Sequence, residues 1–235
     1  MCCYINACPQ LISKGFKYIV KLIHFEHPTE VRSSLILKEL FGISDVYFEK
    51  DTVVVFTGEV FLSNGVHFRG VCEIGDKVSI DTGCVLNNVS IGSGTNIRSH
   101  SILNDCKFGK NNIIGPHCFV RDETCVGDFC IVGSHVEVAR STLGAQIKIS
   151  HQAFVGDATL GDRVIIGAGV VFCNFDGSGR QSSQVGVDTL IGSGTLIVSP
   201  IRIGARVVIG AGSVVTKDIN DGEQFVQSRY RQFDE

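Results

Sequence analysis

Apolar residues return every six positions along most of the chain. The run is Phe56, Leu62, Phe68, Ile74, Ile80 and Leu86; after a five-residue step it resumes at Ile91, Ile97 and Leu103, and after another at Phe108. It continues through Ile114, Val120, Val126, Val132 and Val138, then steps by five to Leu143, Ile149 and Val155, and by five again to Leu160, Ile166 and Phe172. After a longer insertion it closes with Val185, Ile191, Ile197, Ile203, Ile209 and Val215. A six-residue strand and turn cannot bury its own apolar face, so it must stack on copies of itself. Three units make one triangular coil. The short steps follow the sixth, ninth, fifteenth and eighteenth units, and the insertion follows the twenty-first. All are multiples of three, which puts every irregularity at one corner of one prism. The predicted fold is therefore mainly β: a parallel β-helix of about nine coils over residues 55–220.

Outside the repeat the pattern changes. Residues 1–54 are expected to form an N-terminal helical and linker segment. In QLISKGFKYIVKLIHF the lysines fall at helix-like spacing, which predicts an amphipathic helix packed on the core. Residues 29–41 also predict a helix, with Thr29 as its cap and Gly42 as its end. DVYFEK and TVVVF read as strands. Residues 221–235 read as a C-terminal tail.

Composition narrows the setting. The chain has 235 residues, 44% of them apolar, and a net charge of −3. That leaves room for a sizeable core and gives no basic footprint for nucleic acid. Ten cysteines suggest a disulfide scaffold only in a small secreted protein. Here Lys14, Lys17 and Lys21 interrupt the one apolar candidate for a secretory signal, and no C-x2-C pair points to a zinc module. Cys72, Cys84, Cys118 and Cys130 all stand two residues before the repeating apolar position. They are expected as buried free thiols in a reducing, cytoplasmic setting. No apolar run approaches the roughly 20 residues that span a bilayer as a helix.

The repeat also predicts which residues stack. His151 is two residues after Ile149, Ala168 two after Ile166, Ser193 two after Ile191 and Ala211 two after Ile209. These units are three apart, so the four form one column on consecutive coils, spanning roughly 14 Å at the strand spacing. One histidine followed by three small residues makes a reactive group at the end of a smooth groove, suited to a long thin ligand such as a pantetheine arm. The insertion 173–184 leaves at the adjacent corner, and a long loop on a regular prism is more often functional than not.

KISHQAFVGDATLGDRVIIGAGVVFCNFDG, followed by VGVDTLIGSGTLIVSPIRIGARVVIGAGSVVTKDI, resembles the hexapeptide-repeat acyltransferases. The likeness is to the acetyltransferase half of the bifunctional glucosamine-1-phosphate acetyltransferase and N-acetylglucosamine-1-phosphate uridyltransferase. It extends upstream through GVCEIGDKVSIDTGCVLNNVSIG and IIGPHCFVRD, and no Gly-rich nucleotide loop occurs in residues 1–55. The resemblance implies a left-handed helix, whereas the general rule for parallel crossovers alone would give a right-handed one. It implies acetyl-CoA as cosubstrate, His151 as general base, and a homotrimer with sites between subunits. Ala168, Asn174, Ser193, Ala211 and Arg229 match the residues that bind acetyl-CoA, and Phe175 stands where the family has Tyr. On the acceptor side Arg121 matches a phosphate-binding arginine. The family's next lysine is Ala139 here, with Arg140 adjacent; a sugar-contacting tyrosine is Phe154, an asparagine is Ile165, and a loop lysine is Arg180. Glu137 matches an acidic residue near the site. The implied acceptor is an amino-sugar phosphate, with a nucleotide-linked amino sugar as the alternative.

A second column competes for attention. His100, His117 and His135 fall on three consecutive coils. Such a stripe resembles that of the zinc carbonic anhydrases built on the same prism, so a zinc hydratase stands as a rival, beside a non-catalytic scaffold. Zinc prefers divergent tetrahedral ligands, which a straight ladder supplies poorly. Stacking of the three rings is the favoured reading, ahead of a lining of the acceptor pocket and of a metal site.

Overall fold

The structure, a computed structural model, describes residues 21–31 and 45–227. The repeat winds into a left-handed parallel β-helix with three flat faces. One face carries the register Leu62–Ile80–Ile97–Ile114–Val132–Ile149–Ile166–Ile191–Ile209–Phe225. The next carries Phe68–Leu86–Leu103–Val120–Val138–Val155 and, higher up, Phe172–Ile197–Val215. The third carries Phe56–Ile74–Ile91–Phe108–Val126–Leu143–Leu160–Val185–Ile203. These are the repeating apolar positions, and they point inward as one core, with Phe56, Phe68 and Phe172 among its largest fully buried side chains. Each face buries alternate residues, as the two-residue side-chain period of a strand requires.

The five-residue steps and the insertion all fall at the corner between the second and third faces. At the lower coils single strands, Val85–Ile91 and Ile102–Phe108, run through this corner, each turning at a residue with positive φ, Asn88 and Asp105. The corner between the first and second faces is regular. Its second position is Gly83, His100, His117, His135, Gln152, Gly169, Gly194 and Gly212, each with positive φ. The three histidines stack ring on ring, His100 to His117 at 5.3 Å and His117 to His135 at 5.0 Å. Cys72, Cys84, Cys118 and Cys130 are free and buried along the prism, as is Cys106. Burial is the main cause that pushes the Cys84 and Cys106 thiols up to about 12 and Cys118 up to about 11.

The N-terminal helix expectation is corrected. Strand β1 (Lys21–Val31) pairs antiparallel with strand β3 (Val53–Leu62), so neither the end of the amphipathic segment nor Thr29–Val31 is helical. The register skips between Phe25 and Thr29, across Pro28, which has no N–H to give to a ladder and is tolerated at such a bulge. The rest of both predicted helices lies outside the described residues. Strand β2 (Val46–Phe48) pairs with Val66–Arg69, so coil stacking begins below the first residue of the six-residue pattern.

Candidate active site

The first corner holds the predicted cofactor column. Ile149, Ile166, Ile191 and Ile209 are in register, which places His151, Ala168, Ser193 and Ala211 one above another. Backbone bonds tie these turns together: Gly169 N–H donates to His151 O at 2.9 Å, Gly194 to Ala168 O at 2.8 Å and Gly212 to Ser193 O at 2.7 Å. The glycines just before the column are forced by the stacking. A Cβ on Gly167 would lie 2.4 Å from Ser193 N, and one on Gly192 would lie 2.4 Å from Ala211 N. His151 is exposed, and its Nδ1 accepts a long hydrogen bond, 3.3 Å, from Ser134 N–H. A neutral imidazole in that contact carries its proton on Nε2, which leaves Nδ1 as the basic nitrogen. The neighbouring Ser134 hydroxyl bonds the His135 ring at 3.1 Å, so the top of the histidine stack adjoins the base of the column.

The second corner holds the predicted acceptor arginines, and it is densely ionic. Arg121 donates to Glu137 Oε1 through Nε at 3.0 Å and through its second guanidinium nitrogen at 2.7 Å, and it also pairs with Asp122. Arg140 donates to Asp122 at 2.7 Å and embraces Asp157 with two bonds, 2.8 and 3.1 Å. Asp157 in turn receives the side-chain NH2 of Asn174. Burial by itself would raise the Asp157 carboxyl, but the hydrogen bonds from Arg140 and Asn174 and the nearby charge of Arg180 outweigh it and hold it below the usual carboxylate range. The hydrogen bonds and charges of Asp157 and then Asp122 raise Arg140 further. Two guanidiniums are thus held by three carboxylates on successive coils.

The insertion leaves from this second corner and folds mainly on itself. Asp176 accepts from the backbone N–H groups of Ser178 and Gly179 and from the side chains of Ser178 and Gln181, which hold it well below the usual carboxylate range. Phe175 bridges Arg180 in an antiparallel step and is 65% exposed. Ser183 N–H bonds Asp157 O, which anchors the far end of the loop to the same carboxylate residue. A shallow cavity of about 220 Å³ opens between Arg140, Asp157 and Ser182.

Strand Phe154–Gly156 runs from one corner to the other. His151 and Asp157 are six residues apart, within about 20 Å along an extended chain. Phe154 pairs with Glu137 and Val171 on this intervening face, and Ile165 lies across the first corner, beside Lys148 and Leu190, with 39% of its surface exposed. The structure therefore joins Arg121, Arg140, Glu137 and Asn174 into one network. It keeps His151, Ala168, Ser193 and Ala211 in another. Arg229 lies outside the described residues. Two participants were missed at the level of sequence, Asp122 and Asp157. The signal for them was charge complementarity at coil spacing: Arg140 is 18 residues after Asp122 and 17 before Asp157. Among the described residues no group of three or more histidine, cysteine or carboxylate side chains could hold a metal ion. A depression of about 690 Å³ is lined by Glu73, Asp105, Lys107 and Cys125 on coils below His151 and contains none of the predicted site residues.

A stacked prism of six-residue strands with this corner geometry defines the class of fold: the chain is a hexapeptide-repeat β-helix. Within that class it is similar to the Bifunctional protein GlmU. It is 38% identical over 167 residues to that of Synechococcus sp., which is 71% of this chain and 37% of the relative. It is 40% identical over 165 residues to that of Aromatoleum aromaticum, 70% of this chain and 36% of the relative. The chain thus spans little more than a third of the length of the curated relatives it matches. No family model matches the chain. Among solved structures it is similar to LpxA, a UDP-N-acetylglucosamine acyltransferase from Bacteroides fragilis, at 18% identity and a TM-score of 0.44, over 74% of this chain and 66% of that one. It is also similar to the acetyltransferase domain of PglB from Neisseria gonorrhoeae, solved with acetyl coenzyme A, at 21% identity and a TM-score of 0.39, over 60% and 55% of the two chains.

Proposed function

We propose that the chain is an acetyl-CoA-dependent N-acetyltransferase acting on an amino-sugar phosphate such as glucosamine-1-phosphate. The observation that carries this reading is the column itself: a histidine with one basic nitrogen, exposed at the foot of three small residues on consecutive coils. The acceptor amine attacks the thioester carbonyl carbon as the N–C bond forms. Its proton passes to His151 Nδ1, replacing the long bond from Ser134, and the C–S bond breaks to release the CoA thiolate, which takes up a proton. Ala168, Ser193 and Ala211 leave room for the pantetheine arm, Asn174 and Phe175 border it, and Arg229 supplies a cation for a CoA phosphate. Arg121, Arg140 and Arg180 serve the acceptor's anionic group, with Phe154 and Ile165 against its sugar ring.

The two corners stand apart on one chain, which favours a homotrimer whose subunits face each other's corners. Exposed Ile131, Ile165, Leu190 and Val208 on one side of the His151 corner, and Ile102, Phe119, Leu196 and Val214 on the other, are the apolar surface such an assembly would cover. A cytoplasmic site of action goes with acetyl-CoA chemistry. No helix among the described residues is long and apolar enough to cross a membrane.

A second acceptor is favoured by one specific observation. Phe154 and Ile165 offer no hydrogen bond where the resemblance calls for a hydroxyl and an amide, so an acceptor with fewer sugar hydroxyls, or one attached to a nucleotide, loses nothing here. An acetyl-CoA thiol-release assay over free amino sugars, their 1-phosphates and nucleotide-linked forms tests both. Turnover should be fastest with one of the last two groups. Absence of thiol release with every amine would overturn the N-acetyltransferase reading.

A further inference from the structure

The amide of Asn174 has an orientation that its neighbour imposes. Asn174 is only 9% exposed, and its NH2 group points at Asp157 Oδ2. An amide's oxygen and nitrogen look alike by shape, and their assignment normally rests on the surrounding hydrogen bonds. Here the assignment is chemical. An ionised carboxylate offers only acceptors, so only the NH2 side of Asn174 can face it. Asp157 cannot turn away to offer anything else, because Arg140 grips both of its oxygens, at 2.8 and 3.1 Å. Asp122, bonded to the same guanidinium at 2.7 Å, holds Arg140 from the other side.

The backbone leaves room for this contact at one place. Gly156 lies beneath Asn174, and a Cβ there would sit 2.5 Å from Asn174 Nδ2 and 2.6 Å from the Phe154 ring. The backbone of Asn174 is committed elsewhere, its N–H to Phe172 O at 2.9 Å and its carbonyl to Gln181 N–H at 2.7 Å. What remains is the side-chain oxygen. Asn174 Oδ1 has no hydrogen-bond partner among the described residues, and it belongs to a nearly buried side chain at the root of the insertion.

We propose that Asp157 is a positioning residue: its carboxylate, fixed by Arg140, locks the Asn174 amide so that its carbonyl oxygen faces the ligand and accepts an N–H from it. Asn174 then selects an N–H donor, such as an amine or amide nitrogen, and does not act as a donor to a developing oxyanion. The same link couples the acceptor corner to the loop that borders the cofactor, since Arg140, Asp157 and Asn174 form one chain of charge-assisted bonds. The inference rests on the acetyltransferase reading for the identity of the ligand. The orientation itself does not depend on it.

Two measurements separate those parts. In the intact protein, a side-chain amide NMR spectrum should show one Asn174 Nδ2 proton shifted downfield and slow to exchange, with the effect lost in Asp157→Asn. An Asn174 amide that already behaves as free in the unaltered protein would overturn the orientation whatever the enzyme does. For the reaction, Asp157→Asn should lower kcat/KM for acetyl transfer by about ten- to a hundredfold, the loss expected for one charge-assisted hydrogen bond. Asn174→Ala should lose a similar factor, and the double variant should be no slower than Asn174→Ala alone, as expected of residues that act as a unit. Losses that multiply would overturn the positioning role. If the unaltered protein transfers acetyl to no amine, the functional reading fails while the spectrum still decides the orientation.

Discussion

His151 and Asp157 stand one strand apart and have opposite environments. His151 is exposed and its ring is held by a single long bond, as suits the proton acceptor proposed for it. Asp157 is largely buried, with 16% of its side chain exposed, and is bound by three donor groups, as suits a group that must not titrate in use. His151→Ala should therefore abolish acetyl transfer while leaving acetyl-CoA binding intact, measured by thiol release and by titration calorimetry; unchanged turnover would remove His151 as the base. The acceptor side can be probed in the direction of gain. Replacing Phe154 with Tyr and Ile165 with Asn restores a hydroxyl and an amide where the resemblance has them. If the natural acceptor lacks partners for those groups, the double variant should gain on amino-sugar 1-phosphates relative to the unaltered protein. No shift in preference across the acceptor panel would show that these two positions do not set specificity. Single buried hydrogen bonds to a substrate hydroxyl are large enough for such a shift to be read.

At the scale of the element, the corner turns explain which glycines matter. Gly169 occupies the left-handed position of its turn, φ +67, but a Cβ there would meet nothing within 4 Å. Gly167 has no such backbone requirement, yet its Cβ would meet the backbone of Ser193 at 2.4 Å. The same left-handed position is filled by His100, His117, His135 and Gln152 on other coils, so the turn tolerates a side chain. Gly169→Ala should then cost about 1 kcal/mol, the usual penalty for a non-glycine residue there. Gly167→Ala should cost more and also weaken acetyl-CoA binding, because it pushes the Ser193 coil upward. Chemical denaturation of both variants checks the order; a Gly169→Ala penalty as large as that of Gly167→Ala would contradict the stacking argument. These elements were readable from the sequence because a period of six fixes both the inward residue and the neighbour one coil away. Cys84 and Cys118, two residues before their apolar positions, were legible as buried for the same reason. The N-terminal strand was not. Lys14, Lys17 and Lys21 mimic helical spacing, and the pairing that makes Lys21–Val31 a strand is antiparallel to a segment some 30 residues later, which no local pattern encodes. The ionic corner escaped for a related reason: Asp122, Arg140, Asp157 and Asn174 are neighbours only after the coil has closed.

At the scale of the whole molecule, the prism has one continuous core, and its interior contains ionisable groups. Cys84, Cys106 and Cys118 lie in it as neutral thiols. For a group whose pKa is raised by folding, the stabilisation is complete below its unfolded value and is lost as pH rises through its folded value. The unfolded thiols ionise near 9, and the folded ones near 11 to 12. Between those values the unfolded chain sheds protons that the folded chain keeps, so unfolding becomes progressively easier. Stability should be flat with respect to these thiols up to about pH 8 and fall steadily between pH 9 and 12. Thermal unfolding under reducing conditions, at one-unit intervals of pH, should show this fall. Cys84→Ala should flatten the alkaline limb while costing some stability at pH 7 through the lost side-chain contacts. An alkaline limb indifferent to Cys84 would mean that other groups, not the thiols along the axis, govern stability at high pH. The six-residue repeat extends this along the prism: the position two residues before the apolar one is buried on coil after coil, and wherever it holds a cysteine, closing the next coil removes another thiol from water.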